Sequence, residues 1–338
     1  MLNTCSIILA AGDGKRMKTE RPKVLSEVLF RPMIKWVVDA LNEAGINNIC
    51  AVCGYKHEIL EKYINNFCKG VETATQQERR GTAHAVIMAD NFLKRNLKKD
   101  VLIVGGDTPF IDPNTIIESL QLHRSQNNVA TIISAKVNNP FGFGRIVRNI
   151  GNNKILSIVE QKDADEETRL ITEVNSGAYW FNIEALLSVI YDISNNNAQN
   201  EFYLPDAIAH LLSKGLPVDA YVVKNEEIIL GANDHVQLNA LNKIAREKVL
   251  EKLMLGGVDI PLKDGIIIEG QVEVGPDTCI LPGTIVRGKS SIGSGCIIGP
   301  NSTIINSHIE DSITLISTYC DNCRIKRGEK VSPFSVIY

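Results

Sequence analysis

A glycine-rich turn near the start of the chain carries residues suited to binding phosphate. Gly12 and Gly14 frame this turn, Arg16 follows it, and a second cation, Lys23, comes a few residues later. Glycines let backbone N–H groups approach phosphoryl oxygens closely, and cationic side chains neutralise the charge that remains. The spacing fits neither the dinucleotide-binding fingerprint nor a Walker A loop. A turn that merely joins a strand to a helix is the alternative interpretation.

A lone carboxylate, Asp107, follows the strongly apolar run 101–104 and two glycines. Magnesium takes oxygen ligands and commonly only one or two of them from the protein, with water and phosphate supplying the rest. An aspartate at the end of a buried strand therefore suggests an Mg²⁺ ligand. The alternative is a carboxylate that caps the turn before Pro109.

The elements that must position these residues alternate between strand-like and helical patterns. The sequence predicts strands at 5–11 and 49–53 and helices at 33–44 and 58–68. This alternation is typical of an α/β domain with a mostly parallel, Rossmann-like sheet, which we assign to residues 1–230. Ligands of such sheets bind beyond the carboxyl ends of the strands, where we expect both the Gly12 turn and Asp107.

The rest of the chain follows a different pattern. Helical spacing without proline or glycine predicts one helix, His235–Leu255, within a linker at residues 231–257. Beyond it, aliphatic residues recur every six positions, a hexapeptide repeat that predicts a short left-handed parallel β-helix at residues 258–338. The repeating positions are Ile268, Val274, Ile280, Val286, Ile292, Ile298 and Ile304. The register slips near Glu310, but Ile309 and Leu315 indicate that it resumes.

Bulk properties argue against several classes of partner. The 338 residues carry a formal net charge of −3 and no long basic run, which argues against nucleic acid. The first apolar run is too short to span a membrane and lacks the basic leader of a signal peptide. We therefore expect a cytoplasmic protein with no membrane partner.

The eight cysteines include two C-x-x-C pairs, Cys50 with Cys53 and Cys320 with Cys323. A four-thiolate zinc site built from both pairs is one interpretation. Strand geometry points Cys50 and Cys53 to opposite faces, however, so packing in the core is the interpretation that we favour.

Several segments resemble a known enzyme family. The run LAAGDGKRM, followed by PKVL, resembles the signature of nucleotidyltransferases that join a nucleoside triphosphate to a sugar 1-phosphate. The pattern Q-x-x-x-x-G-T-x-H-A resembles the uracil-reading segment of bacterial N-acetylglucosamine-1-phosphate uridyltransferases, and an amide suits uracil because it both donates and accepts. The resemblance implies nucleotide contacts from Leu9, Ala10, Ala11, Gly12, Gly14, Gln76, Gly81 and Thr82. His84, in the same segment, is expected to pack on the sheet from its helix.

Four further segments resemble sugar-binding elements of the same family. The most specific is N-A-Q-N-E-F-Y-L-P-D, which starts at Asn197 and resembles N-A-Q-G-E-Y-Y-L-T-D in the family. The resemblance implies sugar contacts from Gly142, Glu160, Asn175, Glu201 and Tyr203. A site built to satisfy amide and hydroxyl groups rejects sugars that lack them, so an N-acetylated amino sugar is favoured over glucose.

In this family the strand-end aspartate holds Mg²⁺ together with a later asparagine, which implies that Asp107 and Asn233 are the metal ligands. Arg16 and Lys23 are implied as catalytic residues that stabilise charge on the triphosphate and the departing pyrophosphate. One departure is Gly105, where the family usually has a tyrosine, and this difference leaves the sugar preference open.

The resemblance implies transfer of a uridylyl group from UTP to N-acetylglucosamine 1-phosphate, which yields UDP-N-acetylglucosamine, a cell wall precursor, and pyrophosphate. Acetyltransferase activity is not expected, because the family's acetyl-transfer stretch has no visible counterpart, and the β-helix is expected to assemble the chain as a homotrimer. Two alternatives remain open. One is a uridylyl- or thymidylyltransferase for another sugar 1-phosphate, and the other is a catalytically inactive subunit that senses sugar nucleotides.

Overall fold

The structure is a computed structural model that describes residues 3–338. The predicted first domain, 1–230, begins with Met1 and Leu2, which lie outside the described residues. None of the helices formed by the described residues combines the length and the apolar character that crossing a membrane requires.

The chain divides into two compact units. The first comprises residues up to 26 together with 32–235, and the second comprises 27–31 together with 236–338. The first eleven strands are β1 (Thr4–Ala10), β2 (Glu27–Val28), β3 (Arg31–Pro32), β4 (Ile49–Cys53), β5 (Val71–Thr75), β6 (Asp100–Gly105), β7 (Ala130–Lys136), β8 (Arg145–Arg148), β9 (Ile155–Val159), β10 (Glu173–Asn182) and β11 (Val218–Val222). Nine of them form one sheet, and β2 and β3 form a separate pair.

The nine-stranded sheet has the order β11-β7-β10-β6-β1-β4-β5, with β8 and β9 attached through β10. Strand β1 lies between β6 and β4 and is parallel to both. The β4–β5 and β7–β11 pairs are also parallel, whereas β10 runs antiparallel to β6 and β7. The parallel group β6-β1-β4-β5, which forms one side of the sheet and ends at the edge strand β5, confirms the predicted α/β class.

Helices cover both faces of this sheet, and each face buries its own apolar cluster. The helices of this unit are α1 (Met33–Glu43), α2 (His57–Phe67), α3 (Thr82–Met88), α4 (Asp90–Lys94), α5 (Pro113–Ser125), α6 (Glu166–Arg169), α7 (Ile183–Leu187) and α8 (Pro205–Ser213). Ile8 belongs to the cluster that contains Leu41 of α1, whereas Ile7 belongs to the cluster that contains Val86 of α3. This layering is typical of strands that alternate with helices.

The C-x-x-C pair in β4 follows the same alternation. Cys53 belongs to the cluster on the α1 face and Cys50 to the cluster on the α3 face. Both side chains are buried, and burial raises the pKa of each thiol to about 12. The prediction that the two thiols face opposite sides of the strand is confirmed. In residues 3–338 no group of three or more histidine, cysteine, aspartate or glutamate side chains suits a metal ion.

The predicted helix is α9 (His235–Leu255), and from residue 236 it belongs to the second unit, which also contains a series of short parallel strands. These strands are β12 (Ile267–Ile268), β13 (Glu273–Val274), β14 (Cys279–Ile280), β15 (Ile285–Arg287), β16 (Ser291–Ile292), β17 (Ile297–Ile298), β18 (Thr303–Ile305), β19 (His308–Ile309), β20 (Thr314–Leu315), β21 (Tyr319–Asp321), β22 (Arg324–Ile325) and β23 (Val336–Ile337). From β12 to β19 each strand pairs with the third strand that follows it, which gives three sheets. Three strands therefore make one coil of a parallel β-helix, as the hexapeptide repeat predicts.

The repeating aliphatic side chains fill the interior of the β-helix, and all except the half-buried Val274 are buried. Small buried side chains such as Thr284, whose hydroxyl donates to a backbone carbonyl oxygen at 2.7 Å, fill the corners. Paired residues are eighteen positions apart at first, as in Ile280 with Ile298, and seventeen apart in the next coil, as in Ile298 with Leu315. The predicted slip is therefore confirmed. Ile309 and Leu315 lie six positions apart in the interior, as predicted, but the register slips again beyond them, because Ile304 pairs with Cys320, sixteen positions away.

Two adjacent isoleucines test the interior of the β-helix. Ile298 is 0 % exposed, whereas Ile297 is 45 % exposed. We expect Ile298→Ala to lower the free energy of unfolding by about 2–5 kcal/mol, because it leaves a cavity. We expect Ile297→Ala to lower it by about 1 kcal/mol or less. Urea unfolding followed by circular dichroism measures both values, and equal losses would contradict the assignment of Ile298 to the interior.

Candidate active site

An open cavity of about 420 Å³ lies beyond the carboxyl ends of β1 and β6. Ten of the predicted site residues line it: Leu9, Ala10, Ala11, Gly12, Lys23, Gln76, Gly81, Thr82, Asp107 and Glu201. This edge is where ligands of a parallel sheet bind. The structure thus brings together the glycine turn, the strand-end carboxylate and the segment that begins at Gln76.

Two neighbouring strands position the floor of the cavity. Leu9 of β1 pairs with Gly105 of β6, and the Gly106 N–H donates to the Leu9 carbonyl oxygen at 2.9 Å. Because these strands are parallel, they end at the same edge of the sheet. The turn that contains Gly12 and the Asp107 carboxylate therefore emerge side by side.

The turn after β1 keeps two predicted residues out of the cavity lining. The Met17 N–H donates to the Gly14 carbonyl oxygen at 2.7 Å and closes a short 3₁₀ helix at Lys15–Met17. Gly14 has a left-handed φ of +59°, and a Cβ there would lie 2.7 Å from Cβ of Lys23, so glycine is required. Gly14 packs against Lys23, and Arg16 is exposed in the 3₁₀ helix. Neither residue lines the cavity.

The ammonium group of Lys23 joins the two residues predicted as metal ligands. Its Nζ donates to Oδ1 of Asn233 at 2.6 Å and forms an ion pair with Oδ2 of Asp107. The Lys23 side chain is only 10 % exposed, so water screens these contacts less than at the surface. Two oxygen atoms from distant parts of the chain thus converge on one cationic atom.

Gln76 is held in an orientation that leaves an acceptor for a ligand. Its Nε2 donates to the Gly81 carbonyl oxygen at 3.1 Å and contacts Nδ1 of His84 at 2.9 Å. Burial, assisted by the charge of Arg80, lowers the pKa of His84, which favours the neutral imidazole as the acceptor. With both amide N–H groups engaged, Oε1 of Gln76 remains to accept from a ligand. His84 therefore does more than pack from its helix, because it orients Gln76.

The segment around Phe202 closes another side of the cavity. The Phe202 N–H donates to the Arg80 carbonyl oxygen at 2.7 Å, and the Phe202 carbonyl oxygen accepts from the Ala83 N–H at 2.9 Å. Gly81 lies between these contacts with φ 105° and ψ 179°, a conformation that is essentially restricted to glycine. A Cβ on Gly81 would lie 2.5 Å from the Phe202 oxygen. Glu201, directly before Phe202 in the chain, lines the cavity beside this close contact.

The other predicted sugar residues, Gly142, Glu160, Asn175 and Tyr203, do not line the cavity. Gly142 is exposed, and its N–H donates to Oε1 of Gln161 at 2.9 Å. Tyr203 is buried, and its hydroxyl accepts from Nε2 of Gln199 at 2.6 Å. Both contacts lie within or between loops, where they fix the local backbone.

Asn175 shapes the backbone that faces the cavity. Its Nδ2 donates to the hydroxyl of Tyr179 at 2.6 Å, and its Oδ1 accepts from the Gly177 N–H at 3.0 Å. The pairing of β10 with β7 is irregular between Asn175 and Ala178. This bulge turns Ser176 and Gly177 into the cavity lining, although neither was predicted as a site residue.

Glu160, directly after β9, carries a perturbed carboxyl group. Burial raises its pKa, and the neighbouring carboxylates of Asp163 and Asp206 act in the same direction, while Arg145 opposes them. Because the pKa is raised, Glu160 takes up a proton at a higher pH than an exposed glutamate does.

Seven lining residues were not predicted as site residues: Asp13, Val24, Arg79, Ala85, Thr108, Ser176 and Gly177. Gly105, noted only as a departure from the family, also lines the cavity. Each of the seven lies within three positions of a predicted site residue. Adjacency to a motif was therefore the sequence signal that could have identified them as lining residues. Spacing alone, however, does not say which neighbours of a motif face the cavity.

Known families and proteins are similar to both units of the chain. Residues 5–236 match the family model described as nucleotidyl transferase, and residues 271–306 match the model described as bacterial transferase hexapeptide (six repeats). The bifunctional protein GlmU of Caldanaerobacter subterraneus subsp. tengcongensis is 42 % identical over 98 % of this chain and 71 % of its own length. The protein of that name from Acetivibrio thermocellus is 41 % identical over 98 % of this chain and 71 % of its own length. The one from Geobacillus sp. is 40 % identical over 100 % of this chain and 72 % of its own length.

One solved structure is similar in fold. It is described as a putative glucose-1-phosphate thymidylyltransferase from Bacillus anthracis in complex with a sucrose. The match has a TM-score of 0.58 and 23 % identity, and it covers 72 % of this chain and 96 % of that chain. At this level of identity the match supports the nucleotidyltransferase fold alone.

Two glycines with positive φ test the close approach at the cavity. Gly81 faces the Phe202 backbone, whereas Gly70, with φ +79°, has open space where a Cβ would lie. We expect Gly81→Ala to lower the free energy of unfolding by about 3 kcal/mol or more, because strain and a backbone clash add. We expect Gly70→Ala to lower it by about 1 kcal/mol, from strain alone. Thermal unfolding compares the two variants, and a smaller loss for Gly81→Ala would contradict the described contact.

Proposed function

The chain belongs to the nucleotidyl transferase family, among the relatives of the bifunctional protein GlmU, and we propose that it transfers a uridylyl group from UTP to N-acetylglucosamine 1-phosphate. The products are UDP-N-acetylglucosamine and pyrophosphate. The observation that carries this proposal is that Lys23, Gln76 and Asp107 line one and the same cavity. A cation, an amide and a carboxylate are the groups that a triphosphate, a base and a metal ion require.

The nucleotide is assigned to the side of the cavity formed by residues 9–12 and by Gln76, Gly81 and Thr82. Uracil carries one ring N–H, and the oxygen Oε1 of Gln76 is the acceptor left for it. The glycine turn after β1 offers backbone N–H groups to the phosphates. Gly14 is assigned to the shape of this turn, because it packs against Lys23.

Asp107 and Asn233 fit a magnesium ion, because their oxygen atoms converge on one cationic atom and Mg²⁺ prefers oxygen ligands. When bound, this ion supplies charge neutralisation between the nucleotide and sugar phosphates. The ammonium of Lys23 lies beside both ligands, where it stabilises negative charge on the same phosphates.

The reaction needs no general base. An oxygen of a sugar phosphate is already ionised near neutral pH, so its attack on the α-phosphorus requires alignment and relief of charge repulsion. Lys23 and Arg16 are assigned the role of stabilising negative charge on the triphosphate and on the departing pyrophosphate. Since Arg16 is exposed outside the lining, it is assigned to the outer phosphates.

The sugar is assigned to the side of the cavity formed by Glu201 and the bulge in β10. Asn175 acts there through the backbone of Gly177, which it holds by a hydrogen bond. Gly142, Glu160 and Tyr203 are assigned to the sugar by the resemblance alone. The identity of about 40 % with GlmU proteins favours this reaction over transfer to another sugar and over an inactive sensing subunit. The lack of acetyltransferase activity stays a prediction.

Assembly as a homotrimer through the β-helix is part of the proposal. Ile285, Thr303, Tyr319 and Val336 stack in register along one sheet, each beside an inward-facing neighbour. Val336 is 59 % exposed. This strip of β-branched and aromatic side chains suits packing against other copies of the chain. The cytoplasm is the proposed location, since it supplies UTP and keeps thiols reduced, and all eight cysteines are free.

Pyrophosphate release tests the reaction. The purified protein is incubated with UTP, Mg²⁺ and a panel of sugar 1-phosphates, beside an Asp107→Ala variant. We expect release with N-acetylglucosamine 1-phosphate and its loss in the variant, because Asp107 is assigned to the metal. Release with only another sugar 1-phosphate would mean that this sugar, not N-acetylglucosamine, is the substrate. No release with any sugar would contradict the proposed reaction.

Lys23 is tested against a lysine outside the cavity. We expect Lys23→Met to lower kcat/KM for UTP by about 10²–10³, because a preorganised cation is lost where phosphate charge develops. Lys94, whose side chain is 60 % exposed and pairs with Asp90, serves as the matched control. Steady-state kinetics of both methionine variants give the comparison, and an equal decrease in the two would remove Lys23 from the mechanism.

The raised pKa of Glu160 gives a pH dependence. As a carboxylate Glu160 accepts hydrogen bonds from sugar hydroxyls, and this acceptor is lost as the pH falls through its raised pKa. We expect the KM of the wild type for the sugar phosphate to rise on acidification, and the ratio of KM in Glu160→Gln to KM in the wild type to shrink. Titration of the substrate affects both proteins equally, so a constant ratio from pH 5 to pH 8 would contradict the assignment.

A further inference from the structure

Two charged residues of the cavity have no role in the proposed reaction. Asp13 lies in the glycine turn after β1, and Arg79 lies in the segment after β5. Both side chains line the cavity, and Nη1 of Arg79 forms an ion pair with Oδ2 of Asp13. Strand β4 separates β1 from β5 in the sheet, so the ion pair joins loops from two strands that are not neighbours.

The position of Asp13 is unfavourable for a phosphate ligand. A carboxylate within a turn that cradles phosphates repels a triphosphate, because the two carry the same sign of charge. Arg79 offsets this charge. A guanidinium group has five N–H donors in a planar fork, so it can bind phosphate oxygens bidentately, and a ligand with several phosphates competes well for it.

The exposure of the pair favours such an exchange. The side chain of Arg79 is 42 % exposed and that of Asp13 is 21 % exposed. Ion pairs with an exposed member are individually weak, so the half-buried Asp13 holds the exposed Arg79 only weakly. A triphosphate carries several negative charges, whereas Asp13 carries one, so the triphosphate attracts the guanidinium group more strongly.

We propose that Arg79 is a phosphate-binding residue for the nucleotide and that Asp13 competes with the outer phosphates for its guanidinium. This inference rests on the proposed function. It predicts that the pair makes the site favour nucleoside triphosphates over nucleotides with one phosphate. A ligand with a single phosphate brings too little charge to displace Asp13, whereas a triphosphate reaches Arg79 with its outer phosphates.

A purely structural ion pair makes a different prediction. If the pair served only to fix the turn, removal of either partner would weaken nucleotide binding in the same direction. Competition between Asp13 and the ligand requires opposite directions, because loss of Asp13 releases Arg79 for phosphate whereas loss of Arg79 removes a cation that binds phosphate. The sign of the two effects therefore separates the two roles.

Isothermal titration with UTP and Mg²⁺, without sugar phosphate, measures these signs. We expect Arg79→Gln to raise the Kd for UTP by about tenfold or more and Asp13→Asn to lower it about two- to fivefold. Arg79→Lys should recover part of the affinity, because it keeps the charge. For UMP, each variant should change the Kd by less than about twofold. Arg95→Gln, which removes an exposed partner of Glu72, is the matched control and should leave the Kd for UTP unchanged.

Weaker UTP binding in both Arg79→Gln and Asp13→Asn, or no change in either, would overturn the inference. The same opposite signs with another nucleoside triphosphate, in a protein that does not bind UTP, would support the inference and contradict the uridylyl reaction. If the wild type binds UTP and releases pyrophosphate while Arg79→Gln behaves like Arg95→Gln, the reaction stands and the role of Arg79 falls. Absence of any triphosphate binding by the wild type would overturn both.

Discussion

The parallel pairing of β1 with β6 is the constraint on which the candidate site depends. The Leu9 carbonyl oxygen accepts from the Gly106 N–H, so the two strands end side by side. One strand then leads into a glycine turn and the other into Asp107, at the same edge of the sheet. The backbone of a buried sheet therefore sets where a phosphate-type turn and a carboxylate meet. Surface loops alone would hold the two groups less rigidly.

The charges in the cavity are arranged in pairs. Lys23 is paired with Asp107, and Arg79 is paired with Asp13. A buried charge without a partner is costly, so Asp107 holds the buried Lys23 in a defined place, whereas the more exposed Arg79 is held less firmly. A triphosphate with a metal ion brings charges of both signs, and it can replace partners in each pair. Such a cavity suits a highly charged ligand better than a neutral one.

The two units reach a stable interior by different means. In the first, helices on both faces cover a sheet whose alternate residues, such as Ile7 and Ile8, enter separate clusters. In the second, most strands of two or three residues bury one apolar side chain each, and the strands stack coil upon coil. The hydroxyl of Thr284 there binds backbone carbonyl oxygens, which satisfies polar groups that the short strands leave in the interior.

The sequence by itself determined the α/β class, the hexapeptide β-helix, the turn at Gly14 and the carboxylate at Asp107, because periodicity, glycine geometry and strand ends are local properties. With the help of a family resemblance it also indicated ten residues of the cavity lining. Only the tertiary structure decided that Lys23 joins Asn233, 210 positions away, to Asp107, and that Arg79 reaches Asp13. It also showed that some predicted site residues, Asn175 among them, bind neighbouring groups rather than line the cavity. Contacts between loops depend on how the fold brings distant strand ends together. No local sequence pattern encodes this arrangement.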